Sequence, residues 1–346
     1  MKLAIHKSKW GFSPDWISYC ESQNINFKIV NCYDTDIISQ IADCDALLWH
    51  HHHTLAKDKL FAQQLLYSLE QAGKKVFPNF NTGWHFDDKL GQKYLLESID
   101  APFVTTDVFY DKEAALEWAD KATYPKVFKL RGGAGSSNVK LVYNKSKAKE
   151  LIKIAFDKGF PSYNKLGDFK ENIRKYRLGK NNLINVLKSV RRFIKSTEYA
   201  TVHGPEKGYV LFQEFIPNNQ FDIRVVTIGS RAFALKRIVR KGDFRASGSG
   251  FIEYGKEEID ERCVKLAFET TLKLKAQCVA YDFVFDRENK PLIVEINYGF
   301  AHEAYFNCPG YWDEKLNWYP GSFNSAHWII ELFLITKDEY SVRESI

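Results

Sequence analysis

The chain has 346 residues, of which 45% are hydrophobic and 27% are charged, a composition typical of a globular protein with more than one packed unit. Its formal charge of +6 is too small to indicate a dedicated nucleic-acid-binding protein. No apolar run reaches the roughly 20 residues that span a bilayer, and no signal-peptide pattern is present. The six cysteines lack C-x-x-C spacing, which predicts reduced, buried thiols in a cytoplasmic protein.

Short apolar runs alternate with helical patterns in the first 80 residues. Ser13-Pro14-Asp15 predicts a helix start in which serine is the N-cap, proline lies in the first turn and aspartate lies near the positive end of the helix. The strands predicted here are 3–5, 27–30, 46–49 and 74–77, and two more helices are predicted at 37–42 and 55–72. This alternation predicts a small, doubly wound parallel sheet.

The pattern then changes to one typical of antiparallel sheets. Helices are predicted at 87–98, 113–122 and 261–274, single strands at 104–110 and 126–130, and hairpins at 221–239 and 280–297. Residues 161–208, which we call the basic insertion, contain eleven Lys or Arg residues and four acidic residues, a net charge of +7. The fold class predicted from these patterns is α+β with an α/β leader.

The clearest chemical pattern lies in the second hairpin. If Asp286 pairs with Pro291 across the turn, Asp282 lies directly opposite Glu295, and Asn297 shares the face of Glu295. Two carboxylates and an amide oxygen are hard ligands, which suit Mg²⁺. A polar face in contact with solvent is the alternative, but the strongly apolar neighbours in both strands disfavour it.

A glycine-rich loop follows the predicted strand 126–130. Lys129 lies at the end of that strand, and the loop contains Gly132, Gly133 and Gly135. Glycines allow backbone N–H groups to approach a phosphate closely, and the lysine supplies positive charge. The P-loop and dinucleotide-binding motifs are absent. The loop is therefore either a plain hairpin turn or a flap over the phosphates of ATP.

The first hairpin turns at Gly229-Ser230, which suits a two-residue turn. That turn places Asp222 opposite Arg237, with Arg224 on the same face. The three side chains are either a surface ion-pair ladder, which contributes about 0 to 1 kcal/mol, or a site that positions a phosphorylated intermediate. The polar, glycine-rich residues 242–250 predict another loop that lines a ligand.

Four consecutive histidines, His50–His53, lie at the end of a predicted strand. Neighbouring residues of a strand point to opposite faces, so at most two of them could share a metal ion, and a metal site is disfavoured. The carboxyl ends of strands line a crevice in an open α/β sheet, so one histidine is a candidate for substrate contact. The sequence contains neither G-x-S-x-G nor the protein-kinase motif set.

The order and spacing of these motifs resemble the ATP-grasp superfamily, closest to its ribosomal-protein glutamate ligase and glutathione synthetase branch. The resemblance covers nearly the whole chain and implies two α+β lobes that clasp ATP, preceded by an α/β pre-ATP-grasp domain. It divides the chain into a pre-ATP-grasp domain (1–85), a central lid subdomain that includes the basic insertion (86–208) and a carboxyl-terminal lobe with the magnesium site (209–346). The chain is also similar to ATP-grasp proteins associated with bacterial surface-polysaccharide gene sets.

The resemblance implies a role for each motif. The nucleotide-binding residues that it implies are Lys89, Lys129, Gly132, Gly133, Gly135, Ser136, Gln213, Glu214, Phe215, Ile216, Asp222 and Ser247, of which 213–216 form the hinge beside adenine. The catalytic residues that it implies are Arg237 and Arg245, and the magnesium ligands are Asp282, Glu295 and Asn297. One departure is that Arg245 is followed by Ala246-Ser247 where the family has an asparagine two residues after this arginine.

The activity implied is that of a carboxylate–amine ligase that uses ATP and Mg²⁺, with two ions expected and Mn²⁺ as a substitute, and forms an acyl phosphate. Its substrates are expected to be small molecules, and the basic insertion favours an anionic acceptor, sugar- or carrier-linked, such as a uronic-acid sugar in polysaccharide biosynthesis. Two alternatives stay open: an ATP-grasp kinase that phosphorylates a hydroxyl, and a non-catalytic nucleotide- or polyanion-binding module. No nucleic-acid partner is expected, and a homo-oligomer is compatible with the sequence.

Overall fold

The structure is a computed structural model that describes residues 1–132, 138–161, 173, 204–240 and 242–334. Three larger sheets organise these residues, and a two-stranded sheet joins β8 (Phe160–Pro161) to β9 (Pro205–Glu206). The described residues contain no helix that is long and apolar enough to cross a membrane. All six cysteines are buried and free, as predicted.

The amino-terminal sheet is parallel, with the order β2-β1-β3-β4. Its strands are β1 (Leu3–His6), β2 (Phe27–Val30), β3 (Ala46–Leu48) and β4 (Lys75–Phe77), and the helices that accompany them are α1 (Ser13–Ser22), α2 (Ile37–Gln40), α3 (Ala56–Gln71) and α4 (Phe80–Gly83). The predicted parallel sheet is therefore present. Ser13 is not the N-cap of α1, because Phe12 occupies that position and the Ser13 hydroxyl donates to the His6 carbonyl at 2.9 Å.

A four-stranded antiparallel sheet follows, with the order β5-β10-β6-β7. Its elements are α5 (Lys89–Ser98), β5 (Thr106–Phe109), α6 (Lys112–Lys121), β6 (Lys126–Lys129), β7 (Val139–Val142), α7 (Lys145–Phe156) and β10 (Val210–Glu214). Helices α6 and α7 share an apolar core with one face of this sheet. The other face is left to line a cleft.

The largest sheet has seven strands in the order β15-β14-β11-β12-β16-β17, with β13 paired to β12. Its elements are β11 (Phe221–Ile228), β12 (Arg231–Ile238), β13 (Ile252–Glu253), α8 (Glu261–Leu274), β14 (Cys278–Phe285), β15 (Pro291–Asn297), β16 (Gly310–Asp313), β17 (Trp318–Pro320) and α9 (Ser325–Leu334). Both predicted hairpins and the helix between them are present. The fold is mixed α and β, as predicted.

Two cores hold the largest sheet in place. Helix α8 packs on one face, where apolar residues such as Val264 and Tyr281 are fully buried. The other core joins this sheet to α9 and to the amino-terminal sheet, so that Leu3, Phe233 and Ile329 belong to one cluster. Tyr298, just after β15, belongs to this core, and its hydroxyl donates to the His51 carbonyl at 3.2 Å, so the chain after β3 lies next to the end of β15.

Candidate active site

The carboxylates predicted as magnesium ligands are brought together by the hairpin β14–β15. Asp282 pairs directly with Glu295, as predicted, and Asn297 lies opposite Ala280. The predicted turn register is wrong, because Phe285 rather than Asp286 pairs with Pro291. The observed turn is one residue longer than the predicted one. A bulge between Asp282 and Phe283 places two residues of β15 opposite one of β14 and so restores the pairing of Asp282 with Glu295.

Asp282 is held by two arginines from the neighbouring strands. Arg224 donates to both of its carboxylate oxygens, from Nε at 2.5 Å and from Nη2 at 2.7 Å. Nη2 of Arg237 lies 2.9 Å from Oδ1 of Asp282, and Arg237 also binds Asp222 through two bonds of 2.6 Å. Burial alone would raise the pKa of Asp282, but the two guanidinium groups outweigh it and hold this pKa well below its usual value.

The donor set suits Mg²⁺ in its chemistry, since Asp282 and Glu295 offer carboxylate oxygens and Asn297 offers an amide oxygen. The amide oxygen of Asn297 accepts the backbone N–H of Gly299 at 2.8 Å, which fixes its orientation. In the described part of the chain no group of three or more His, Cys, Asp or Glu residues is placed to hold a metal ion. A magnesium ion here would therefore complete its six ligands with water and phosphate oxygens.

Lys89 begins helix α5, and its ammonium contacts Glu295. Its Nζ lies 3.3 Å from Glu295 Oε1, and only 6% of its side chain is exposed. Asp88 caps the helix, because its Oδ1 accepts the N–H groups of Leu90 and Gly91. Burial lowers the pKa of Lys89, but Glu295 and the neighbouring aspartates outweigh it, so the pKa is raised and the ammonium is charged.

Lys129 comes to the same place from the end of β6. The Lys89 backbone N–H donates to the Arg131 carbonyl at 3.0 Å, which ties the start of α5 to the end of this strand. Lys129 is 5% exposed and has no ion-pair partner among the residues that the structure describes. Burial, opposed by Glu295 and assisted by Lys89, lowers its pKa to about 8. A buried cation without a partner is the arrangement that an anionic ligand stabilises.

One cleft between the two antiparallel sheets gathers most of the predicted residues. The predicted residues that line it are Lys129, Gln213, Glu214, Phe215, Ile216, Asp222, Arg245, Ser247, Asp282 and Glu295. Arg237 and Lys89 reach this cleft through their contacts with Asp282 and Glu295. The structure therefore places residues from distant parts of the sequence around a common space.

The hinge residues form the inner wall of the cleft. Gln213 is buried and donates to Thr106 Oγ1 at 3.2 Å and to the Val294 carbonyl at 3.4 Å, which ties β10 to both β5 and β15. Glu214 forms an ion pair with the buried Lys126. Residues 213–216 line the cleft. Because β10 ends at Glu214, the peptide groups of Phe215 and Ile216 lie beyond the strand pairing, where a base could bond to them.

Sequence reasoning missed the apolar part of the lining. The cleft is also bordered by Val104, Val127, Val139, Val284 and Val294. The sequence contained a signal for one of these valines. Val127 lies two residues before Lys129 on β6, and side chains two apart on a strand share a face. A flat aromatic base fits between such aliphatic side chains.

The loop after β12 supplies the outer wall. Arg245 forms an ion pair with Asp243 at 2.8 Å, and Phe244 packs edge-on against Phe215 with ring centroids 6.0 Å apart. Ser247 borders the cleft, and its carbonyl accepts Nη2 of Arg240 at 3.4 Å. The predicted ligand loop thus lies over the cleft, although the family asparagine is replaced.

Part of the predicted flap lies outside the described residues. Gly133, Gly135 and Ser136 belong to that part, as does nearly all of the basic insertion. Gly132 is described, and a Cβ at its position would lie 3.1 Å from Asp87 Oδ2, so glycine allows a close approach of the two loops.

The histidine run follows β3 rather than ending it, because the strand stops at Leu48. The alternation of strand faces therefore does not apply to these residues. His50 stacks on Phe12 with ring centroids 3.9 Å apart, and its Nδ1 accepts the Phe12 backbone N–H at 3.1 Å. Burial and the neighbouring histidines hold its pKa well below the usual value. The ring is thus neutral, and its proton is on Nε2, which lies near Gly299.

A family model described as a RimK-like ATP-grasp domain matches residues 165–305, which is less than half of the chain. A search of curated proteins gave no match. Among solved structures, the D-cycloserine synthetase DcsG superposes with a TM-score of 0.57 at 14% identity, over 96% of this chain and 98% of that chain.

The chain has the ATP-grasp fold. The predicted resemblance is therefore confirmed at the level of the fold. The D-alanine–D-alanine ligase of Bacillus anthracis is similar with a TM-score of 0.52 at 15% identity, over 86% of this chain and 85% of that chain. A biotin carboxylase domain of Hydrogenobacter thermophilus, determined with magnesium ADP, gives 0.52 at 14% identity, over 86% of this chain and 64% of that chain.

Proposed function

We propose that this ATP-grasp chain is an ATP-dependent carboxylate–amine ligase that forms an amide through an acyl phosphate. The observation that carries the proposal is the buried Lys129 ammonium, which has no ion-pair partner in the described part of the chain and lines the same cleft as Asp282 and Glu295. A positive group without a partner, next to two carboxylates, suits a polyphosphate that binds with a divalent cation. The names of the similar structures, a synthetase and a ligase, support the same reaction class.

The chain's own residues would act mainly by holding charge in position. Lys129 and Lys89 would hold phosphate oxygens of ATP, and the backbone of 213–216 would bind the base. A substrate carboxylate oxygen would attack the γ-phosphorus and break the bond to the oxygen that bridges to the β-phosphate, so ADP leaves. Arg237 and Arg245 would stabilise the resulting acyl phosphate through charge-assisted hydrogen bonds.

The amine would then attack the acyl carbon, release phosphate and lose a proton. A magnesium ion bound at Asp282, Glu295 and Asn297 would neutralise phosphate charge. We propose that two magnesium ions bind and that Mn²⁺ can replace them.

The basic insertion supports an anionic substrate. We propose that the carboxylate substrate is a small molecule such as a uronic-acid sugar, free or carrier-linked, in surface-polysaccharide biosynthesis. The domain bounds given above and a cytoplasmic location are part of the same proposal.

The test is release of ADP from Mg²⁺-ATP with a panel of uronic acids, amino acids and short peptides. We expect release that needs both a carboxylate and an amine. Hydroxylamine should trap the intermediate as a hydroxamate, which only an acyl phosphate gives. Release with a hydroxyl compound alone would replace the ligase by a kinase. ADP binding without any turnover would favour the nucleotide-binding module.

We propose that the Nε2–H group of His50 donates a hydrogen bond to the carboxylate or amine substrate. Substitutions at His50 test this contact. Asparagine can keep the bond from the Phe12 N–H but has no donor at the Nε2 position, whereas glutamine can place an amide donor there. We expect His50→Asn to raise the KM for the carboxylate or amine substrate about three- to tenfold, the worth of one neutral hydrogen bond, and His50→Gln to raise it less. The ADP affinity of both variants should stay at the wild-type value.

The opposite order of the two variants would exclude a contact between His50 and the substrate. If His50→Asn behaves as wild type and His50→Gln loses activity and melts at a lower temperature, the ring serves only to hold the loop of Phe12.

A further inference from the structure

Four charged side chains alternate in sign across three strands at the base of the cleft. Asp222 and Arg237 face each other across β11 and β12, and Arg224 faces Asp282 across β11 and β14. The bonds run in a chain from Asp222 through Arg237 and Asp282 to Arg224. The four formal charges sum to zero.

This arrangement leaves Asp282 little capacity for another ligand. A carboxylate offers about four lone-pair sites, and three guanidinium N–H groups already lie within 2.9 Å of the two oxygens of Asp282. Glu295 differs, because in the described part of the chain it forms a single ion pair, of 3.3 Å with Lys89, and 29% of its side chain is exposed. The two carboxylates of the proposed metal site are therefore unequal: one is accessible and the other is occupied.

The two arginines are also unequal. Arg237 is bound by two bonds to Asp222, so it keeps a carboxylate partner if Asp282 turns away. Arg224 has no other carboxylate partner in the described part of the chain, and 23% of its side chain is exposed, against 9% for Arg237. If a cation takes Asp282, Arg224 is the group left with an unpaired charge, next to a carboxylate that lines the cleft.

We infer that Asp282 and Arg224 exchange partners: a divalent cation displaces Arg224 from Asp282, and the released guanidinium then binds an oxyanion such as a phosphoryl or acyl-phosphate group. The inference rests on the proposed metal site and adds Arg224 to it as an oxyanion-binding residue. Because cation and oxyanion compete with the same internal ion pair, each must strengthen the binding of the other by the same factor.

The test uses Mn²⁺ alone with the full chain and no nucleotide, and follows free Mn²⁺ by electron paramagnetic resonance. We expect Arg224→Met to bind Mn²⁺ at least about tenfold more tightly than wild type, since Asp282 is then free of its strongest partner. Arg224→Lys keeps the charge but cannot form two parallel hydrogen bonds to Asp282, so its Mn²⁺ affinity should lie between those of wild type and Arg224→Met. The matched control is Arg231→Met. Arg231 begins β12, at the opposite end from Arg237, and forms an ion pair with Glu331, so this variant should bind Mn²⁺ as tightly as wild type.

The lysine variant separates the proposed exchange from simple repulsion. If only the positive charge near the site matters, Arg224→Lys will bind Mn²⁺ as wild type does, and the inference fails. It also fails if Arg224→Met shows no gain. A melting curve of each variant accompanies the titration, and should Arg224→Met not fold, the comparison of Arg224→Lys with wild type still decides.

A second titration tests the oxyanion half of the inference. Sodium sulfate, exchanged for chloride at constant ionic strength, serves as a tetrahedral oxyanion. It should tighten Mn²⁺ binding by wild type about threefold and have no effect on Arg224→Met. An equal effect of sulfate on both proteins would overturn the role of Arg224. None of these measurements needs turnover, so they stand or fall independently of the ligase activity.

Discussion

Replacing Asp282 or Glu295 by alanine is expected to abolish ATP turnover. Each change removes a proposed ligand of the divalent cation and a carboxylate that orders the positive groups of the site. The more conservative Asp282→Asn and Glu295→Gln should lower kcat/KM for ADP release about 10²- to 10³-fold, the usual effect of losing one group that stabilises transition-state charge.

The two positions are expected to differ in stability. Asp282 is buried and bonded to the half-buried Arg224 and the buried Arg237. Asp282→Ala leaves Arg237 with Asp222 but removes the carboxylate that Arg224 grips, and should cost about 2 to 3 kcal/mol of folding free energy. Glu295 is partly exposed and has one ion pair, so Glu295→Gln should fold with near wild-type stability. Glu295→Gln therefore gives the cleaner test of function.

A matched control lies in the same hairpin. Glu288 is exposed in the turn, pairs with Lys290 and is not among the residues that line the cleft. Glu288→Ala should leave both ADP release and the melting temperature unchanged. Near-normal turnover of both Asp282→Ala and Glu295→Ala, measured beside this control, would rule out the proposed site.

Much of this site could be predicted because short hairpins restrict pairing. The two-residue turn at Gly229-Ser230 leaves only one register, so the pairing of Asp222 with Arg237 follows from the sequence and is observed. The longer turn of the second hairpin left the register open. The predicted pairing of Asp282 with Glu295 is observed only because a bulge offset the error at the turn.

The contacts between strands that are distant in sequence could not be predicted in the same way. Arg224 meets Asp282 because β11 lies between β12 and β14, an order that no hairpin pattern specifies. Lys89 meets Glu295 because α5 packs against β15, although the two residues are about two hundred positions apart. These contacts decide which carboxylate is accessible, and they depend on tertiary packing.

The second large effect concerns proton uptake when nucleotide binds to Lys129. Burial lowers the pKa of this lysine to about 8, so most of the population is neutral at pH 9 in the nucleotide-free protein. The phosphates of ADP favour the charged ammonium and raise this pKa, so binding at pH 9 should take up close to one proton per ADP. At pH 6.5 the lysine is already charged, and its contribution to proton uptake should vanish.

The sign of the pH dependence follows directly. Above pH 8 Lys129 must take up a proton from the solvent when ADP binds, so the ADP affinity of wild type should weaken as pH rises. Arginine stays charged over the whole range, so the ADP affinity of Lys129→Arg should be nearly flat. Lys129→Met loses the charge altogether and should bind ADP about 10- to 100-fold more weakly at pH 7.

Isothermal titration calorimetry at pH 9, in buffers of different ionisation enthalpy, measures the proton uptake directly. ADP carries no titrating phosphate at that pH, so the uptake reports the protein alone. Equal uptake by wild type and Lys129→Arg would assign the proton to another group. A difference of nearly one proton would identify Lys129 as the buried cation whose missing partner is the phosphate chain, which is the physical basis of the proposed nucleotide site.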